Sequence, residues 1–199
     1  MDKIWEEMKK EDIEIKENYI KKMCSLLDYI VWLFLGNLDI EYHIRLVNDL
    51  SESICHIKTN RQNKFICILC LSIEPYTEYN IMQSKIKRYN EYFKSIHIPE
   101  HLYKYASILF VWLHEIGHAR SYYEVYRING IAGVKSLVEV DKYIRQLLPS
   151  IYTNNQYSNT EYNIQYVYSK SYVEMQADIF VYRNFASTWE LIKDNLWYI

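Results

Sequence analysis

The sequence predicts an α+β fold that is mostly helical and carries one small sheet of three strands. Three observations point there. Apolar residues recur at helical spacing over long stretches of the chain. Two alternating stretches and one continuous apolar run lie close together between residues 40 and 73. Gly and Pro are scarce, four and three in 199 residues, as expected of long helices joined by few tight turns.

Residues 3–35 read as one helix, because Ile4, Met8, Ile13, Ile15, Tyr19, Ile20 and Met23 recur among charges at roughly helical spacing. Gly36-Asn37 supplies its stop. Residues 40–48 and 53–59 alternate as half-buried strands do, and 64–73 is an apolar run of strand length. Asn60-Arg61-Gln62-Asn63 suits a hairpin between the last two, so the sheet is expected to be antiparallel. After Pro75 the periodicity turns helical over 78–95, and Pro99 resets the chain. A second helix covers 101–127 and stops at Asn129-Gly130; a third covers 134–147 and ends before Pro149. The polar stretch 149–163 reads as a loop or lid, followed by a helix over about 165–186 and a short one after Ser187. The break at residue 36 divides the chain into an N-terminal helical segment, 1–38, and a main domain, 39–199, while 199 residues also suit one single domain.

Composition removes several functions. Half the residues are apolar and 16% aromatic, enough for a large core, so extended disorder is not expected. A net charge of −2 with both signs interspersed offers no footprint for nucleic acid. The Tyr-rich segment 152–172 could stack bases, but it holds one Lys and no Arg. No membrane partner is expected either: the most apolar stretch, 26–38, contains Asp28 and falls short of the roughly 20 residues that span a bilayer. The charged first 22 residues are unlike a secretory signal, which gives a cytoplasmic, reduced protein as the expectation. Cys24, Cys55, Cys67 and Cys70 accordingly read as buried small hydrophobes. The CxxC of Cys67 and Cys70 lies in a strand, where positions three apart face opposite sides.

The chemistry concentrates in His114-Glu115-Ile116-Gly117-His118. Residues four apart lie about 40° apart around a helix, so both imidazoles project from one face and can reach one Zn²⁺. Glu115 is offset by one residue, beside the metal, where it can serve as general base toward water. At this chain's His and Glu frequencies such a pattern arises by chance roughly 0.015 times. Gly117 costs the helix about 1 kcal/mol against Ala, which close approach of another backbone or of substrate would explain.

A catalytic zinc needs a third protein ligand and an open position. On an unbroken helix Glu124 falls about 9 Å along the axis and about 100° off the ligand face, which removes it. Glu139 is a rival, although position 143, one turn onward, is Tyr. Glu174 is favoured: with Asp178 it forms an i, i+4 pair of carboxylates facing one way, so Glu174 can bind metal while Asp178 accepts the other ring N–H of a ligating histidine. Ala177 between them is small enough for close helix packing.

His114-Glu115-Ile116-Gly117-His118-Ala119 followed by Glu174-Met175-Gln176-Ala177-Asp178 resembles the gluzincin metallopeptidases, and among them the small ImmA/IrrE-like family. The resemblance covers residues 109–120 and 172–186; Lit-like exclusion proteases share the same motifs. It implies a zincin-type active-site helix, zinc ligands His114, His118 and Glu174, and Glu115 as general base. It also implies peptide-bond hydrolysis in a protein or peptide substrate such as a repressor or host factor. The alternative function is a catalytically inactive, zinc-stabilised module that sequesters a protein partner. An exposed edge of the small sheet, assigned to 64–73, would receive substrate as an added strand. Any of Tyr162, Tyr166, Tyr168 and Tyr172 could stabilise the oxyanion. The sequence specifies no oligomeric state.

Overall fold

The structure, a computed structural model, describes residues 2–48, 53–59, 64–74, 83–153 and 171–196. Helix α1 (Asp2–Leu35) leads into strands β1 (Glu41–Val47), β2 (Ile54–Thr59) and β3 (Phe65–Ser72). Helices α2 (Gln83–Ser95), α3 (Tyr103–Thr153) and α4 (Tyr172–Leu196) follow, with one 3₁₀ turn at Glu100–Leu102. The fold is α+β and mostly helical, as the periodicities predict. Residues 60–63, 78–82, 154–163 and 165–170, which carry the predicted hairpin turn, the start of α2, the rest of the polar stretch and the start of the last helix, lie outside the described residues.

The sheet is mixed, not antiparallel. Its order is β1-β3-β2: β3 runs antiparallel to β2, with Cys55 opposite Leu69, and parallel to β1, with Ile44 opposite Leu69. The last strand slots between the first two, so it cannot oppose both. Alternation identifies strands and their buried faces but not their neighbours, so the order was not legible locally. Burial agrees with the topology. The unbroken apolar run forms the central strand, whereas His43, Arg45, His56 and Lys58 mark the two edges. An added strand therefore cannot pair with 64–73, which is occupied on both sides.

Helix α1 ends where Gly36 predicts. The Gly36 N–H reaches the Trp32 carbonyl at 2.8 Å, and a side chain at Gly36 would collide with the Trp32 ring at 2.6 Å. Met23, Leu27, Ile30, Val31 and Leu35 recur at helical spacing and are buried in the same cluster as β3 and α3. Tyr19 extends this docking by donating its hydroxyl to the Ile73 carbonyl at 2.7 Å. Opposite, Tyr89 and Phe93 of α2, Phe110 of α3 and Phe185 of α4 form an aromatic nucleus; Tyr89 and Phe110 ring centres are 4.2 Å apart and Phe93 and Phe185 stack at 5.4 Å.

Two predicted helices are joined as α3. Gly130, at φ 62° and ψ −165°, breaks it as expected, but the helix resumes at once rather than after a loop. Left-handed φ is the conformation glycine adopts without penalty. Beyond the break the helix passes through Pro149 to Thr153, so the expected end before Pro149, and the loop reading of 149–153, are corrected. Proline withdraws one backbone donor, and the neighbouring turns keep theirs. Helix α4 likewise continues through Ser187, whose hydroxyl donates to the Asn184 carbonyl at 3.0 Å. Among the described residues no helix is long and apolar enough to cross a membrane.

Candidate metal centre

The centre forms where α3 crosses α4. Leu109, Phe110, Trp112, Leu113 and Ile116 bury one side of α3, and the Trp112 indole N–H donates to the Ser72 carbonyl at 2.7 Å, fixing the helix against the end of β3. This leaves His114, Glu115 and His118 turned toward α4 and the sheet edge. At the crossing the backbones nearly touch: a Cβ on Gly117 would stand 2.9 Å from the Ala177 Cα and 3.1 Å from its carbonyl oxygen. Both small residues are used as the sequence suggests.

That proximity brings Glu174 and Asp178 onto the histidines. His114 Nε2 lies 3.1 Å from His118 Nε2 and 3.2 Å from Glu174 Oε2, and His118 Nε2 lies 3.5 Å from Glu174 Oε1. Four nitrogen or oxygen ligands at about 2.0–2.1 Å around tetrahedral zinc are separated by about 3.3 Å. The two imidazole nitrogens and one or other Glu174 oxygen thus stand near the edge lengths of such a site, and the nitrogen and carboxylate chemistry of this donor set fits zinc. Two imidazole nitrogens this close also require a cation or a proton between them, since facing lone pairs repel. His114 Nδ1 is 3.2 Å from Asp178 Oδ1, which assigns a proton to Nδ1 and makes Nε2, which faces the centre, the nitrogen that a metal would take. His118 is held differently. Its Nδ1 is buried with no hydrogen-bond partner among the described residues, and its ring stacks on Tyr122 at 6.3 Å.

The charges are strongly coupled. Burial pulls the His114 imidazolium down, but hydrogen bonds to Asp178 and Glu174 outweigh it and push the group up to about 10. Burial acts on Glu174 in the opposite sense to its partners, and hydrogen bonds from His114 and His118 hold its carboxyl far below the usual carboxylate range. Glu115, 7% exposed, is raised by burial against the opposing pull of both histidines. Its donor oxygen lies within 4.8 Å of the histidine nitrogens, and it accepts the backbone N–H of Cys55 on β2. Two carboxylates therefore stand near the histidine pair. Glu174 is in direct contact with both rings, and Glu115 is set back against the sheet edge.

The rivals fall elsewhere. Glu139 is exposed on the second part of α3, and Glu124 is exposed and bound to Arg127 at 2.9 Å. Tyr172 is 56% exposed and borders a cavity of about 710 Å³ between α3 and α4 that contains none of the five site residues. Tyr162, Tyr166 and Tyr168 lie outside the described residues.

Three contributors escaped the sequence reading. Ser171 accepts the Glu174 N–H on its hydroxyl at 3.3 Å and the Met175 N–H on its carbonyl at 2.9 Å, so it starts α4 and puts Glu174 in the first turn. Its signal was present: Ser followed three residues later by Glu is a helix-start pattern. Here the Glu side chain turns to the histidines instead. Tyr122, one turn beyond His118, and the Cys55 amide carry no comparable signal. Compared with family models, with curated proteins and with solved structures, the chain gives no match.

Proposed function

We propose that this chain is a zinc metallopeptidase that hydrolyses a peptide bond in a cytoplasmic protein substrate. One observation carries the reading: the donors of His114, His118 and Glu174 stand 3.1–3.5 Å apart, at tetrahedral edge lengths, with the buried Glu115 carboxylate beside them. The sequence resemblance to gluzincins of the ImmA/IrrE-like type supports it.

His114, His118 and Glu174 hold the metal, and Asp178 orients His114 through its Nδ1–H. Zinc in such a site supplies Lewis acidity, polarising the scissile carbonyl and acidifying water. Glu115 takes the proton of the attacking water and delivers it to the leaving amine. Its burial suits the first step, since a carboxylate whose carboxyl is pushed up from its ordinary value is a stronger base toward water than a solvated one. The Cys55 N–H keeps the Glu115 carboxylate aimed between the metal ligands and the sheet. Of the two edges, β2 is the one that touches this residue, so β2 is where an extended substrate adds.

Mass-spectrometric mapping of new protein N-termini in cells tests this. Wild type generates a set of new termini, and Glu115→Gln, which keeps the three ligands, generates none while retaining zinc. Equal cellular effects from wild type and Glu115→Gln, with no new termini from either, would instead indicate a zinc-stabilised sequestering module.

A further inference from the structure

The cysteines are all free thiols, and two of them meet beside Glu115. Cys55 Sγ on β2 and Cys67 Sγ on β3 are 3.3 Å apart. Cys55 stands opposite Leu69, and Ile57 opposite Cys67, so the two cysteines are diagonal neighbours on the core-facing side of the sheet. Cys70 lies three positions along β3 from Cys67, on the other face, opposite Ile54 and Arg45. The pair is therefore specific.

We propose that Cys55 and Cys67 are a site of reversible oxidation, forming a disulfide that ties edge strand β2 to central strand β3 and fixes the backbone amide that holds Glu115. The significance for Glu115 rests on the metallopeptidase reading; the disulfide does not. The oxidant is a small-molecule disulfide. The thiolate of one cysteine attacks it and releases one of its halves as a thiol. The second cysteine displaces the other half as the protein S–S bond forms, so both electrons and both protons of the dithiol end on two small-molecule thiols.

An S–S bond of about 2.04 Å requires the sulfurs to close by about 1.3 Å. Diagonal Cα atoms in a sheet are about 7–8 Å apart, at or just beyond the limit that a disulfide spans without backbone movement. Closure therefore draws one strand along the other. Strand β3 is held from both sides, whereas β2 has β3 on one side only, so β2 is the strand that moves and is then fixed. It carries the Cys55 N–H with it. The hydrogen bond to Cys67, and then burial, push the Cys55 thiol well above its ordinary value. Attack by Cys55 is correspondingly slow at neutral pH, which suits a response to sustained oxidising conditions.

The full-length protein is incubated with oxidised glutathione, then analysed by intact mass, by peptide mapping and by amide hydrogen exchange. The expected product has lost two hydrogens, maps to a Cys55–Cys67 bridge and reverts with dithiothreitol. Cys70→Ser forms the same bridge; Cys67→Ser yields a glutathione adduct alone. Amides of residues 54–59 exchange about tenfold more slowly in the bridged protein. Glutathione adducts on wild type without a bridge, or a bridge to Cys70 or Cys24, would overturn the site. A Cys55–Cys67 bridge with unchanged exchange over 54–59 would overturn the clamp. Neither readout uses zinc, so a chain that bridges but holds no metal counts against the metallopeptidase reading alone.

Discussion

Gly117 on α3 and Ala177 on α4 meet backbone to backbone: the place a Cβ would take on Gly117 is 2.9 Å from the Ala177 Cα and 3.0 Å from the Phe180 Cβ. The contact sets how far Glu174 and Asp178 stand from His114. Gly117→Ala gains about 1 kcal/mol in helix propensity but forces the helices apart, an overpacking cost of about 1–3 kcal/mol. We predict lower thermal stability together with zinc affinity reduced by at least about tenfold, the separations having grown beyond tetrahedral edge lengths. A competitive chelator titration reads the affinity. Unchanged affinity would mean that the contact does not position the ligands.

Asp178 acts through His114, so Asp178→Asn tests orientation without removing a donor to the metal. The amide accepts a hydrogen bond but carries no charge to favour the Nδ1–H tautomer. Zinc affinity should fall by about 10–100-fold with the fold intact by circular dichroism.

The electrostatics of the metal-free centre give a pH dependence with a definite sign. His114 is raised from an ordinary 6.5 to about 10, so its share of stability is full below about pH 6.5 and is lost as pH rises through about 10. Glu174 is lowered, so its share is full above its ordinary value of 4.5 and is lost as pH falls through its depressed one. The metal-free protein should therefore gain most from the His114–Glu174 pair between about pH 4.5 and 6.5. Zinc must displace the His114 proton, so apparent affinity should rise roughly tenfold per unit between pH 6 and 8. Isothermal titration in buffers of different ionisation enthalpy would count the proton released. Affinity independent of pH would contradict a protonated His114.

Ser171 is the smallest lever on the site. Ser171→Ala removes the hydroxyl that caps α4 and should cost about 1 kcal/mol, lowering Tm by about 2–4 °C. Because Glu174 is in the turn that this hydroxyl starts, zinc affinity should fall as well. Ser171→Asp, which keeps an acceptor, should restore both.

The juxtaposition of these side chains on two helix faces was legible because helical spacing is rigid. The offset of four from His114 to His118, and from Glu174 to Asp178, fixes which side chains share a face before any tertiary contact is known. Gly117 and Ala177 were legible as small residues on two helices that both carry candidate ligands. What periodicity does not encode is which strand neighbours which, so the parallel pairing of β1 with β3 was missed. Stop signals proved local too: Gly130 breaks α3 without separating it, and Pro149 does not end it. The role of the Cys55 amide depends on the sheet order and could not be read earlier. Glu139 could be set aside only once α3 was seen to carry it to an exposed face.

The most direct test of the central claim is metal content by mass spectrometry on purified wild type, Glu174→Ala and Glu139→Ala. Near one zinc per chain in wild type and Glu139→Ala, with loss or sharp reduction in Glu174→Ala, is the predicted result. Full zinc in Glu174→Ala, or none in wild type after reconstitution, would contradict the site.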